Sequence, residues 1–103
     1  MEVDIRNKNL KKLYEKGSNP KYRFVDKKLY RKFVEKVNRL IAAKDINDLR
    51  NPPSNRFEKL VGYDNKFSIR LDKKHRLEFI IDFKDKIKTQ GNVLIIDITK
   101  HYE

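Results

Sequence analysis

Six residues of this chain have types that suit acid–base and phosphate chemistry: Glu58, Arg70, His75, Arg76, His101 and Tyr102. The two arginines lie in neighbouring alternating runs, FSIRL and HRLEFIIDF. The core-facing candidates there, Phe67, Ile69, Leu71, Leu77, Phe79 and Ile81, all carry odd numbers. Residues on one face of a hairpin sit opposite one another, so paired numbers must sum to an even value. The simplest closure is a three-residue loop over 72–74, with Leu71 opposite His75. Ile69 then meets Leu77, Phe67 meets Phe79, and Arg70 stands directly opposite Arg76 on the other face. Like charges opposed in a sheet cost about 0.2–1 kcal/mol. A bound phosphate removes that cost, because guanidinium groups grip phosphate oxygens in pairs. A neighbouring carboxylate removes it equally well, and Glu58, Glu78 and Asp82 are the ones at hand.

The remaining candidates divide by position. Glu58 sits in RFEKL, between the expected core anchors Phe57 and Leu60; taken alone, it reads as a solvated side chain. His75 borders the hairpin loop and reads as a wetted turn residue. His101, in ITKHYE, is better placed. Its parity matches Val93, Ile95, Asp97 and Thr99 if the last strand persists that far, and Tyr102 then leans to the opposite side. A frayed terminus is the competing reading.

The elements that must position these groups follow from periodicity. Val3 and Ile5 alternate with acidic neighbours in a short strand over 1–5. Asn7 or Asn9 offers a helix cap, Leu10, Leu13 and Tyr14 form one apolar stripe, and Gly17 stops the helix. A second helix spans 26–44, with Leu29, Phe33, Val37, Leu40 and Ile41 on one face. Lys27, Lys28, Arg31, Lys32, Glu35, Lys36 and Arg39 point away from it. Prolines and asparagines mark 45–55 as a loop. Strands follow over 57–61, 67–71 and 76–83, and 93–98 is apolar on both faces, as a central or covered strand is. The expected fold is α+β, with two N-terminal helices packed on one face of a small, mainly antiparallel, twisted sheet. At 103 residues the chain reads as one domain, 1–103.

Composition points to the partner class. Lys and Arg number 26 against 15 Asp and Glu, a formal charge of +11, which suits a polyanion such as RNA, DNA or an acidic protein. Cysteine is absent, so disulfides and thiolate metal sites are excluded. No stretch approaches the roughly 20 apolar residues of a membrane span. MEVDIRNKNL lacks the order of a secretory signal. Without any address, the expectation is a cytoplasmic protein.

RFEKLVG, FSIRLDKKHRLEFII and VLIIDITKHYE together resemble the RelE/ParE superfamily of bacterial toxins, most closely its HigB and YoeB-like branches. NLKKLYEKGS and DINDLRNPPSNRFEKL are also HigB-like, so the resemblance covers nearly the whole chain. It implies the toxin of a type II toxin–antitoxin system, a ribosome-dependent endoribonuclease that cuts messenger RNA in the ribosomal A site. The YoeB-like pattern maps its catalytic set onto Glu58, Arg76, His101 and Tyr102. Arg70, Lys59, Lys73 and Lys74 are the implied substrate-binding residues. Other branches use lysines or a further histidine where this chain has Glu58 and Lys59.

The implied reaction needs neither metal nor other cofactor. Glu58 is the expected base on the 2′-OH, His101 the acid on the leaving oxygen, and Arg70 and Arg76 the phosphate clamp. Lys27, Lys28, Lys32 and Lys36, with Lys8, Lys11 and Lys12, are expected against ribosomal RNA or simply in solvent. The implied protein partner is a HigA-like helix-turn-helix antitoxin, through which alone operator DNA is contacted. Two alternatives stay open: a non-enzymatic ParE-like inhibitor of DNA gyrase, and a plain RNA-binding module.

Overall fold

Local signals start and stop the helices of this chain. The computed structural model describes residues 1–100. A short strand, β1 (Val3–Ile5), leads to helix α1 (Lys8–Lys16), whose cap is Asn7: its side chain accepts from the amides of Asn9 and Leu10. Gly17 ends α1 at φ +84, a left-handed position that glycine adopts without steric cost. Asp26 caps α2 (Lys27–Ala42) by accepting from the Leu29 amide.

Four strands complete the sheet: β2 (Glu58–Lys59), β3 (Lys66–Arg70), β4 (His75–Phe83) and β5 (Gly91–Lys100). Their order is β1-β5-β4-β3-β2. The pairing is antiparallel except between β1 and β5, which run parallel. Leu10, Leu13, Leu29, Phe33, Val37 and Leu40 from the helices pack against Phe67, Ile69, Leu77, Phe79, Ile81, Val93, Ile95 and Ile98. The expected architecture is therefore the observed one, helices on one face of a mostly antiparallel sheet.

The hairpin register also agrees with the parity argument. Ile69 pairs with Leu77, Phe67 with Phe79, and Arg70 with Arg76.

Three expectations give way to the structure. Ile41 is exposed, because α2 turns it past the edge of the buried stripe. The strand expected over 57–61 shrinks to Glu58–Lys59, and Leu60 is not part of the buried core. Most consequential is β5. Phe79 pairs with Ile95 but Glu78 pairs with Asp97, so Ile96 is one residue too many. Such a bulge resets the alternation of the strand that carries it. Val93 and Ile95 are buried before it, and Ile98, opposite Leu77, is buried after it. Val93, Ile95, Asp97 and Thr99 therefore do not share one face.

Candidate active site on the open face of the sheet

The face away from the helices is built from even-numbered residues of β3 and β4. Glu58, Ser68 and Glu78 are successive partners across β2, β3 and β4, and Asp97 is the next partner on β5. One step along the strands, Arg70, Arg76 and Thr99 form a second row. Thr99 reaches this row only because of the bulge at Ile96; an unbroken alternation after Ile95 would set it on the helix side.

Arg70 and Arg76 occupy different environments despite facing each other. Arg76 is only 5% exposed. Its Nη2 donates to the Arg56 carbonyl at 2.7 Å and lies 3.4 Å from Glu58 Oε2. Glu58, with a 53% exposed side chain, is thus the carboxylate that meets one arginine. Glu78 goes instead to Lys66, 3.4 Å away, and Asp82 to Lys84, 3.3 Å away. Arg70 is half-buried, and its Nε donates to the Asp72 carbonyl at 3.2 Å. Among the described residues no carboxylate pairs with it. Arg76 Nε and Ser68 Oγ are buried without a hydrogen-bond partner among the described residues. Such unpaired buried donors are rare in folded proteins and concentrate at functional sites.

A family model for the RelE-like toxin of the type II toxin–antitoxin system HigB matches residues 3–95. The chain belongs to this HigB-like toxin family. The toxin is 35% identical over 80 residues to Toxin HigB-1 of Vibrio cholerae, covering 77% of this chain and 82% of that one. It is also 35% identical over 76 residues to a Haemophilus influenzae protein described only as uncharacterized, 73% of each chain. Among solved structures, a YoeB/ParE toxin from Agrobacterium tumefaciens superposes with a TM-score of 0.54 at 20% identity, over 99% of this chain and 100% of that one. At that identity the likeness shows a shared fold. Membership of a type II system implies an antitoxin as partner.

The other residues singled out in the sequence are dispersed. His101 and Tyr102 lie outside the described residues. Lys59 pairs with Phe67 and so takes the helix side, where it lines a cleft with Phe57 and Phe83. Lys73 and Lys74, in the hairpin turn, line a different cleft with Asp26, Lys28 and Lys32 at the start of α2.

His75 is not the wetted turn residue that its position suggests. Its ring stacks on Phe24 with centroids 5.4 Å apart and planes 12° apart, and its side chain is 14% exposed. Its Nδ1 lies 2.9 Å from Asp72 Oδ1. Burial pulls the Asp72 carboxyl upward. The Lys74 and His75 amides and the His75 ring outweigh that pull and hold it below its ordinary value of 3.8.

A second network fixes the bulge. Tyr22 donates its hydroxyl to Asp97 Oδ1 at 2.7 Å and accepts from Asn7 Nδ2 at 2.8 Å. Asn7 Nδ2 also lies 3.2 Å from the Ile96 carbonyl, so the cap of α1 is tied to the bulge itself. Burial, reinforced by Asp97, pushes the Tyr22 phenol far above its ordinary value.

The sequence argument passed over Ser68, Arg56 and Tyr22. Ser68 has a visible signal, since it shares the even parity of Arg70. Arg56 contributes through its main chain, which side-chain chemistry does not reveal. Among the described residues no group of three or more His, Cys, Asp or Glu side chains gathers as metal ligands. No described helix is long and apolar enough to cross a membrane.

Proposed function

We propose that this toxin is a metal-independent endoribonuclease that cuts messenger RNA on the ribosome and so arrests translation. One observation carries the reading: two arginines face each other across β3 and β4, with a carboxylate 3.4 Å from one of them. Glu58 takes the proton of the ribose 2′-OH. The 2′-oxygen attacks the adjacent phosphorus, the bond from phosphorus to the 5′-oxygen breaks, and His101 protonates that oxygen. The products are a 2′,3′-cyclic phosphate and a free 5′-hydroxyl. Acid and base steps of this kind each contribute about 10²–10⁴-fold.

Arg70 and Arg76 offset the charge that grows on the phosphoryl oxygens. The unpaired Nε of Arg76 is a donor left over for one of them. Tyr102 stacks on a splayed base or orients the phosphate. His101 follows Thr99 by two residues in sequence, and Thr99 is the β5 partner of Arg76, which supports the assignment of the acid. Lys73 and Lys74 hold flanking RNA from the hairpin tip, and Lys59 makes a separate phosphate contact on the far side of the sheet edge. The partner that silences the toxin is a helix-turn-helix antitoxin, and operator DNA is reached only through it. The site of action is the cytoplasm.

The test is to supply purified toxin to translating ribosomes and map RNA ends. Cleavage that leaves cyclic phosphate ends and disappears in Glu58→Gln and His101→Ala is the expected result. Intact transcripts together with inhibited DNA gyrase would replace this reading with the gyrase-inhibitor one. Toxicity that survives His101→Ala but not Arg76→Ala would leave only RNA binding.

A further inference from the structure

The pair formed by Arg76 and Glu58 is tied to helix α2 through the loop before β2. Asn55 lies in NPPSN, a stretch that reads as solvent-facing, yet it is 1% exposed. Its side chain is fully engaged. Oδ1 accepts from Lys36 Nζ at 2.6 Å, and Nδ2 donates to the carbonyls of Asn51 at 3.0 Å and Leu49 at 3.5 Å.

The next residue, Arg56, sits at φ 45 and ψ 55. For a residue other than glycine this left-handed conformation costs on the order of 1–2 kcal/mol. It persists only where the surroundings impose it. That conformation directs the Arg56 carbonyl to the Arg76 guanidinium, 2.7 Å away, and Glu58 follows two residues later. Lys36 itself is drawn out of water: burial lowers its ammonium below the ordinary 10.5. An unbranched apolar side chain would fill the same space without that desolvation, so the charge is retained for its contact with Asn55.

We propose that Lys36 and Asn55 are positioning residues that set the orientation of Arg76 and Glu58, acting through the strained main chain of Arg56. Lys36 thereby leaves the set of lysines expected on the solvated or RNA-facing side of α2. The inference rests on the endoribonuclease reading only where it concerns turnover; its geometric part stands apart from it.

The experiment compares Lys36→Met and Asn55→Asp with the wild-type full-length chain, using Lys32→Met as a control on the same helix. The direct readout is the NMR signal and solvent exchange of the Arg76 guanidinium Nε–H, assigned with Arg76→Lys. In both variants the signal should move and its exchange quicken, while the amide signals of Phe33 and Ile95 keep their positions and report an intact fold. Lys32→Met should leave the signal in place. On ribosomes, kcat should fall about 10–100-fold with KM little changed, the consequence of a misplaced clamp with substrate binding retained. Lys36→Arg should restore part of the loss. An Arg76 signal that stays in place in either folded variant overturns the proposal, as does a loss carried by KM alone. Should the wild-type toxin cut no RNA, the endoribonuclease reading falls while the guanidinium signal still decides this one.

Discussion

On the helix side of the sheet, Ile69, Leu77, Phe79 and Ile95 are wholly buried against α1 and α2, whereas the same strands turn Ser68, Arg70, Arg76 and Glu78 to the other side. On the first side every group has a matching neighbour: Phe57, Phe67 and Phe79 stack in series at 5.1 and 6.3 Å. On the second side, like charges oppose each other and two buried donors go unpaired. The contrast teaches where stability and chemistry are kept. The helix side supplies the rigidity that lets the open side hold an arrangement unfavourable on its own.

Truncating the packed side should do the most damage. Phe79→Ala removes a ring with no exposed surface and should cost about 3–5 kcal/mol of unfolding free energy in urea titration, taking activity with it. Arg76→Ala should show the reverse profile. Its partner Glu58 is half in water, so stability should fall by only about 1 kcal/mol. Cleavage should drop by about 10²–10³, the scale of losing one oxyanion donor. Equal losses of stability and activity in that variant would erase the distinction between the two faces.

A smaller effect concerns the hairpin tip. The Asp72 carboxyl is held below 3.8, so the stability it lends is present above that value and is lost as pH falls through its lower folded-state value. Acid unfolding of Asp72→Ala should therefore lack part of the wild-type slope below about pH 4. The smallest effect separates strain at the site from strain elsewhere. Lys88 also has a positive φ, 56, but lies on the helix-side cleft near Phe57 and Phe83. Lys88→Gly should raise stability by up to about 1 kcal/mol and leave RNA cleavage untouched.

Much of this molecule follows from local sequence rules. Asn7, Gly17 and Asp26 announce helix ends by chemistry that acts within a turn or two. The hairpin register follows from parity because a three-residue loop leaves one solution. What the sequence withheld depends on contacts between distant segments. Phe24 covers His75 from fifty-one positions away. Asn55 is buried because Lys36 reaches it across nineteen positions. The bulge at Ile96 carries no glycine, and both faces of β5 are apolar around it, so no break in hydrophobic rhythm marks it.

That extra residue has an evolutionary corollary. A stretch with a two-beat rhythm interrupted once is vulnerable to a one-codon deletion: losing a single residue between Ile96 and Ile98 would exchange inward for outward at every later position while barely altering composition. Disarming the toxin in this way would take one genetic event, and alignments of its kin through this stretch should place a gap there before they count matching columns.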